Sequence, residues 1–308
     1  MHKILISEPL NETSVEYLTA RADVIRCQAD DAPKHIAEAE GLVVRSYTQV
    51  NDALLALAPK LKVVGRAGVA LENIDVHACR ARGVEVVHTP EANTLAVVDY
   101  IIGVIVNMNR RFWPMDHCLG HDGFHVARKA TFGRFISGTT LGIVGLGRIG
   151  SRVGRAAEAL GMRVLYNDIL HIKVDYQAEA VDKPTLYAQS DIITIHVPLD
   201  SSTIEMVNAE SIASFKRGAQ FINAARGQCV NYHALADAIK SGQVSAATID
   251  CHHPEPPPAD YPLFGLENVT LTPHIAARVP DAVQKMCDVV HDVLAVLDGK
   301  DPKFPAPK

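Results

Sequence analysis

The feature that most constrains this chain of 308 residues is a glycine-rich hexapeptide, Gly145-Leu146-Gly147-Arg148-Ile149-Gly150. It follows a strand-like apolar run at 141–144 and precedes a segment of helical spacing that ends near Gly161. The first glycine permits a tight turn, the second lets a phosphate group approach the backbone, and the third lets the helix pack closely on the strand. The N-terminus of such a helix presents free N–H groups and the positive end of its dipole. The hexapeptide therefore predicts a strand, a turn and a helix around an anion site.

A second strand-like run at 163–167 ends at Asp168, 23 residues after Gly145. A carboxylate at this position can accept hydrogen bonds from the ribose hydroxyls of an adenosine and repels a 2′-phosphate. The whole pattern predicts a dinucleotide site that prefers NAD to NADP. His171 and Lys173, which follow Asp168, leave NADP open as an alternative.

Short segments rich in Val and Ile alternate with segments of helical period along the chain. The first series of strands is predicted at 3–7, 24–27, 41–45, 63–66 and 84–88, and the second at 140–144, 163–167, 192–197, 220–224, 246–250 and 269–272. A long helix is predicted at 93–111 between the two series. This alternation predicts an α/β protein with two doubly wound parallel sheets, one a Rossmann NAD-binding domain and the other flavodoxin-like.

The segment 280–298 is predicted to form one amphipathic helix that has no strand of its own to cover. We therefore expect it to pack on the first domain, which makes that domain discontinuous. The expected substrate-binding domain comprises 1–89 and 275–308, and the NAD-binding domain comprises 90–274. A proline lies at each crossing, Pro90 and Pro273, where it disfavours helix continuation.

Composition excludes several classes of protein. The formal net charge is −5, which argues against a broad nucleic-acid surface. Apolar residues make up 48% of the chain, but no apolar run reaches the roughly 20 residues of a membrane span. The N-terminus enters a strand directly, without the pattern of a signal peptide. Six scattered cysteines with no C-x-x-C pair indicate reduced thiols. We expect a cytoplasmic protein without nucleic-acid or membrane partners.

Charged residues follow the last three predicted strands. Arg226 follows the strand at 220–224, Asp250 ends the next strand and Glu255 follows it, and His274 follows the last. Ligands bind at the carboxyl ends of strands in such sheets. Hydride transfer to or from a carbonyl carbon needs an acid–base group, and an acidic substrate needs a cation to orient it. These side chains are therefore candidates for redox catalysis.

The sequence resembles the NAD-dependent D-isomer-specific 2-hydroxyacid dehydrogenases over nearly its whole length. The similarity is carried by the hexapeptide, by His196-Val197-Pro198-Leu199 and Ile222-Asn223-Ala224-Ala225-Arg226-Gly227, and by Asp250 with Glu255-Pro256 and Thr272-Pro273-His274-Ile275. The 3-phosphoglycerate dehydrogenases are the most similar branch, through Val44-Arg45-Ser46, Gly65-Arg66-Ala67-Gly68-Val69 and Glu72-Asn73-Ile74-Asp75. The regulatory domain of longer members is expected to be absent.

The resemblance implies a role for each motif. His274 would exchange the proton of the substrate C2 hydroxyl, Glu255 would fix the histidine tautomer, and Arg226 would bind a substrate oxygen. Asp250 would lie near the nicotinamide. The cofactor-binding residues would be Gly145, Gly147, Arg148, Ile149, Gly150, Asp168, His196, Val197, Pro198, Ala224, Ala225, Asp250 and Ala276. The substrate-binding residues would be Arg45, Ser46, Arg66, Gly68, Val69, Arg226 and His274.

The cations Arg45, Arg66 and Arg278 favour a small 2-hydroxy or 2-keto acid with a second anionic group. The leading candidate is 3-phosphoglycerate, and hydroxypyruvate, glyoxylate and sulfolactate-type acids are alternatives. Arg278 has an equally good interpretation as an outward-facing residue before the last helix. The pattern departs from the phosphoglycerate branch at Tyr47 and Gln49, where a small residue and a lysine are common. That departure weakens the case for a phosphate.

Other interpretations remain open at this point. The scaffold also occurs in NAD-sensing co-repressor proteins, so a non-enzymatic binding protein is one alternative. His117, His121 and His125 have the spacing of one helix face, but Gly120 and Gly123 disfavour a continuous helix there, and no metal site is predicted. The resemblance implies that 111–134 forms an arm at a subunit interface, so a homodimer is expected.

Overall fold

A computed structural model describes residues 1–110, 120–130 and 132–307. The chain divides into two compact units, Met1–Leu95 with Arg278–Lys308, and Ala96–Ala277. The division lies a few residues C-terminal to each boundary expected from the sequence.

The secondary structure alternates strands and helices along almost the whole chain. Within the described residues the strands are β1 Lys3–Ile6, β2 Asp23–Arg26, β3 Gly41–Val44, β4 Val63–Arg66, β5 Glu85–His88, β6 Thr140–Val144, β7 Arg163–Asn167, β8 Glu179–Ala180, β9 Ile192–Ile195, β10 Ala219–Asn223, β11 Val244–Ile249 and β12 Val269–Leu271. The α-helices are α1 Glu12–Thr19, α2 Ala32–His35, α3 Asp52–Ala56, α4 Val76–Ala81, α5 Thr94–Asn109, α6 Gly120–Ala130, α7 Arg148–Ala159, α8 Lys183–Gln189, α9 Ala209–Ala213, α10 Tyr232–Lys240, α11 Pro280–Cys287 and α12 Val289–Leu297.

The first unit is built on a five-stranded parallel sheet with the order β2-β1-β3-β4-β5. Successive side chains of a strand point to opposite faces, and both faces of this sheet carry a buried cluster. Leu42 and Val44 belong to one cluster, while Val43 belongs to the other. Helix α12 packs on β3, β4 and β5. A Cβ at Gly65 would overlap the side chain of Val293, so the glycine lets α12 approach the sheet closely.

The second unit contains a seven-stranded parallel sheet with the order β12-β11-β10-β9-β6-β7-β8. The strand order reverses beside β6, as in dinucleotide-binding sheets. Two buried clusters cover the two faces of this sheet. The predicted fold class, a Rossmann domain and a flavodoxin-like domain, is confirmed.

Three local predictions were wrong. The second sheet has a further strand, β8, which is only two residues long and exposed. The C-terminal segment forms two helices, Pro280–Cys287 and Val289–Leu297, which are separated at Asp288, where φ is −63° and ψ is −7°. Gly123 does not interrupt the helix Gly120–Ala130, whereas Gly120 is its first residue, with φ of 75°, and His117 lies outside the described residues.

Candidate active site

The glycine hexapeptide forms the turn between β6 and α7. Gly145 has φ of 92°, a left-handed conformation that favours glycine, and a Cβ there would lie 2.7 Å from the carbonyl oxygen of His196. A Cβ at Gly150 would overlap the carbonyl oxygen of Gly145. In contrast, a Cβ at Gly147 would meet no atom within 4 Å. The hexapeptide therefore packs tightly against the protein on two sides and leaves its second glycine open to a ligand.

Gly147 is the N-cap of α7, and no side chain caps this helix. The first turn of α7, which contains Arg148 and Ile149, therefore offers its N–H groups and the positive end of its dipole to an anion. Asp168 follows β7 and lies against the same turn. Its Oδ2 accepts the N–H of Leu146 at 2.6 Å, and its Oδ1 accepts the N–H of Leu170 at 2.8 Å. Each oxygen retains a lone pair for a hydroxyl. The arrangement fits a dinucleotide.

His196 follows β9 and borders the hexapeptide. Its N–H donates to the carbonyl oxygen of Val144 at 2.8 Å, and its Nε2 lies 3.1 Å from Oγ1 of Thr194. Burial lowers the pKa of the His196 imidazole to about 4, so the ring is neutral near pH 7. Val197 and Pro198 continue from it, and a Cβ at Gly145 would lie 3.1 Å from the Val197 side chain.

Arg226, Asp250 and His274 follow β10, β11 and β12, which are neighbours in the sheet. Because the strands are parallel, their carboxyl ends meet at one edge. His274 has φ of 53°, which is uncommon for a residue with a side chain and often marks a functional position. Its N–H donates to the carbonyl oxygens of Asp250 and Thr272, both at 2.9 Å.

The imidazole of His274 pairs with the carboxylate of Glu255. The distances from Nδ1 to the two carboxylate oxygens are 3.1 and 3.0 Å. About half of each side chain is exposed. An Nδ1–H that donates to Glu255 leaves the lone pair on Nε2. No group in the described residues hydrogen-bonds this Nε2, which can therefore accept a proton from a ligand.

Asp250 is fully buried and holds the backbone around His274. Its Oδ1 accepts the hydroxyl of Thr272 at 2.6 Å and the N–H of Ile275 at 2.8 Å. Its Oδ2 accepts the N–H of Ala276 at 2.9 Å. The hydroxyl of Tyr100, on α5, lies 2.6 Å from Oγ1 of Thr272. The contact with a nicotinamide that the resemblance implies for Asp250 and Ala276 stays a prediction.

Arg226 lies at a turn that packs against the segment leading to Glu255. Its carbonyl oxygen accepts the Asn223 amide at 3.0 Å, and its Nη1 donates to the carbonyl oxygen of Ala225 at 2.7 Å. A Cβ at the next residue, Gly227, would overlap the main chain of His252. Both ring nitrogens of His252 have structural partners, the hydroxyl of Tyr261 and the carbonyl oxygen of Thr272. The partly buried Ala224 and the buried Ala225 precede Arg226 at the same strand end.

In the first unit, the predicted substrate residues lie together at the ends of β3 and β4. Nη2 of Arg66 is 3.5 Å from Oγ of Ser46, and a Cβ at Gly68 would overlap the Arg66 guanidinium. The N–H of Gly68 donates to the carbonyl oxygen of Arg66 at 2.8 Å. The carbonyl oxygen of Val69 pairs with Nδ1 of His88 at 2.8 Å. Arg45 reaches the carbonyl oxygen of Pro9 at 3.4 Å.

The remaining candidates give no second site. Arg278 is exposed, just before α11. His117 lies outside the described residues, as does the side chain of His121. In the part of the chain that is described, no group of three His, Cys, Asp or Glu side chains could hold a metal ion. Nor do the described helices include a candidate for a membrane-spanning segment.

Comparison with known proteins agrees with this geometry. Residues 102–276, more than half of the chain, match the family model described as "D-isomer specific 2-hydroxyacid dehydrogenase, NAD binding domain". The chain belongs to this family. The matched range contains the hexapeptide, Asp168, Arg226, Glu255 and His274. The predictions of the family and of NAD as cofactor are confirmed.

The similar members of the D-2-hydroxyacid dehydrogenase family include two kinds of enzyme. A D-3-phosphoglycerate dehydrogenase of Archaeoglobus fulgidus is 36% identical over 91% of this chain and 54% of its own length. A hydroxypyruvate reductase of Thermotoga maritima is 33% identical over 92% of this chain and 94% of its own. The chain thus spans about half the length of that dehydrogenase. The TT0316 protein of Thermus thermophilus matches with a TM-score of 0.89 and 30% identity, over 99% of this chain and 100% of its own.

Sequence reasoning missed residues that act through hydrogen bonds. Thr272 belongs to the family motif Thr272-Pro273-His274-Ile275, but that motif assigns no role to its hydroxyl. Tyr100 lies in a long helix, and no local pattern marks its contact with Thr272. Glu8, whose carboxylate accepts main-chain N–H groups of the loop 45–48, carries one sequence signal: it is an acidic residue that follows β1 at the carboxyl edge of the sheet.

Proposed function

We propose that this protein is an NAD-dependent dehydrogenase that interconverts a small anionic D-2-hydroxy acid and its 2-keto acid. The observation that carries the proposal is the pairing of His274 Nδ1 with Glu255 at 3.0 Å beside the carboxyl end of β11, with Nε2 left open. Arg226 at the neighbouring strand end supports an acidic substrate.

Each residue has a defined task in this proposal. In the oxidation direction, Nε2 of neutral His274 takes the proton of the C2 hydroxyl, and in reduction it returns that proton. Glu255 stabilises the imidazolium that forms and fixes the Nδ1–H tautomer. The guanidinium of Arg226 binds two oxygens of the substrate in one plane. NAD, when bound, supplies the hydride acceptor at its nicotinamide ring.

The leading substrate is 3-phosphoglycerate, because Arg45, Ser46 and Arg66 provide cations and a hydroxyl for a second anionic group. The relative from Archaeoglobus fulgidus supports it. Hydroxypyruvate is the second candidate. Tyr47 and Gln49 stand where a small residue and a lysine are common in the phosphoglycerate branch, and the hydroxypyruvate reductase of Thermotoga maritima is 33% identical. Glyoxylate, a monoanion, and sulfolactate-type acids, which are dianions, are further alternatives among the small 2-hydroxy and 2-keto acids.

We also infer that the protein is a homodimer in the cytoplasm. Phe132 and Phe135 are 91% and 87% exposed, and large apolar side chains this exposed favour burial in a subunit interface. The cytoplasmic location rests on the sequence, in which six scattered cysteines include no C-x-x-C pair. Light scattering of the purified protein tests the dimer.

The decisive test is a spectrophotometric NADH assay across 2-keto and 2-hydroxy acids with one or two anionic groups. We expect activity that prefers dianionic acids, and a loss of at least a thousandfold in kcat for His274→Asn with little change in NADH affinity. An NAD-sensing protein without catalysis would bind NADH and turn over none of the acids. Equal turnover of lactate-like and dianionic acids would remove the reason for the Arg45 and Arg66 cluster.

A further inference from the structure

The loop 45–48 connects β3 to the segment before α3 and carries Arg45 and Ser46. All four of its main-chain N–H groups donate to one carboxylate, that of Glu8. Oε1 of Glu8 accepts the N–H of Arg45 at 2.9 Å, of Tyr47 at 3.2 Å and of Thr48 at 3.0 Å. Oε2 accepts the N–H of Ser46 at 2.9 Å and shares that of Tyr47 at 3.1 Å.

Glu8 is a buried hydrogen-bond acceptor and not a surface carboxylate. It follows β1 at the carboxyl edge of the sheet and is only 4% exposed. Burial by itself raises the pKa of the Glu8 carboxyl, but the four N–H donors outweigh it and the net pKa is lowered. The group is therefore ionised at neutral pH. A carboxylate offers about four lone-pair sites, and the loop supplies four donors.

Two main-chain carbonyl oxygens of the loop accept hydrogen bonds from another side chain, that of Asn73. Nδ2 of Asn73 donates to the carbonyl oxygen of Arg45 at 3.1 Å and to that of Thr48 at 2.8 Å. The hydroxyl of Thr48 is 2.8 Å from that of Ser7. The loop is thus fixed at both ends by side chains from outside it, and its main-chain donors are used up.

A loop of this kind cannot bind an anion through its amides, so recognition falls to its side chains. We propose that Glu8 is a positioning residue: its carboxylate occupies the main-chain N–H groups of the loop 45–48 and thereby holds Arg45 and Ser46, which the family resemblance already implies as substrate residues, in place for the distal anionic group of the substrate. This inference rests on the proposed function, since it assigns the loop to substrate.

The sharpest test replaces Glu8 by Gln, which keeps the shape but turns one oxygen into a donor. That NH₂ group would face N–H groups of the loop, whereas Glu8→Asp keeps the carboxylate and shortens its reach. Glu12→Gln is the matched control, because Glu12 is exposed at the start of α1 and forms a surface ion pair with Arg26. Steady-state kinetics with the best acid substrate and NADH, and thermal melting, are measured for each variant.

We expect Glu8→Gln to raise the KM for a dianionic acid at least tenfold and to reduce the preference for dianionic over monoanionic acids. The KM for NADH should change less than twofold, Glu8→Asp should recover part of the effect, and Glu12→Gln should match the wild type. An unchanged acid KM in folded Glu8→Gln overturns the proposal. An equal loss for monoanionic and dianionic acids overturns it as well, since it indicates a general structural role.

Amide hydrogen exchange separates this proposal from the proposed function and does not need a variant that folds. In the wild-type protein the amides of 45–48 should be protected, and protection should fall at low pH as Glu8 becomes protonated, while the strand amides of β1 stay protected. Fast exchange of these amides at neutral pH overturns the proposal even in an active enzyme. If the amides are protected but the protein has no dehydrogenase activity, Glu8 still fixes the loop, and the assignment of the loop to substrate is wrong.

Discussion

The replacement of Asp250 by Asn is predicted to lower kcat about a hundredfold. In the structure the carboxylate accepts three hydrogen bonds from the segment around His274, at 2.6, 2.8 and 2.9 Å, in a fully buried position. An amide of the same shape keeps one oxygen, and its NH₂ group must face the N–H of either Ile275 or Ala276.

The magnitude follows from these bonds. An unsatisfied buried donor costs about 1–3 kcal/mol, and each hydrogen bond that loses a charged acceptor weakens by about 1 kcal/mol. Removing the charge also removes part of its desolvation cost, so about 3 kcal/mol is a reasonable net loss. The left-handed backbone of His274 costs about 1–2 kcal/mol, which is less than the restraint that is lost. We therefore expect the backbone to relax and the imidazole to leave its position, and about 3 kcal/mol corresponds to roughly a hundredfold in rate.

Steady-state NADH kinetics and thermal melting check this prediction. Asp200→Asn is the control, because Asp200 is an exposed acceptor in a turn of the same unit. A variant Asp250→Asn with kcat within threefold of the wild type would refute the reasoning. A higher KM for NADH with unchanged kcat would refute it too, and would favour the nicotinamide contact that the family resemblance implies.

Three further outcomes are expected. Tyr187→Phe should raise the free energy of unfolding in urea by up to about 1 kcal/mol, because the buried hydroxyl of Tyr187 has no partner among the described residues. Tyr232→Phe loses a 2.7 Å hydrogen bond to a main-chain carbonyl and should lower the free energy of unfolding. The depressed pKa of His196, about 4, means that the unfolded chain binds the proton first as the pH falls below about 6.5. Stability should therefore decline from pH 6.5 to 4 by at most about 3 kcal/mol more than in His196→Gln. Gly147→Ala should leave the melting temperature unchanged and raise the Kd for NADH at least tenfold, whereas Gly150→Ala should destabilise the fold.

Local pattern was sufficient for the fold because burial on both faces of a parallel sheet leaves short, nearly continuous apolar runs. Where that apolar signal is missing, the sequence predicts the elements incorrectly. β8 is two exposed residues, and no apolar periodicity marks it. The break at Asp288 lies inside a continuous helical period, so no change in the sequence pattern marks it. The helix over Gly123 forms although glycine costs roughly 1 kcal/mol there.

The candidate site divides in the same way. His274 and Glu255 could be predicted as site residues because they belong to ordered family motifs. Their pairing follows once the two motifs lie side by side in the fold. The partners that hold them could not be named. Tyr100 and Thr272 are 172 residues apart, and a single hydrogen bond between them leaves no periodic trace in either segment. Such contacts are determined by the packing of whole elements.

One physical device occurs in both units. Glu8 follows β1 and accepts the N–H groups of the loop after β3, its neighbour in the sheet, and Asp250 follows β11 and accepts those of the segment after β12, also its neighbour. In parallel sheets these strand ends lie side by side, so a carboxylate after one strand reaches the main-chain donors after the next. A carboxylate accepts and cannot donate, which makes an amide of equal shape a selective probe in both places. If Glu8→Gln acts on the acid KM while Asp250→Asn acts on kcat, with NADH affinity unchanged in both, then the two carboxylates fix two different loops, one for recognition and one for proton transfer.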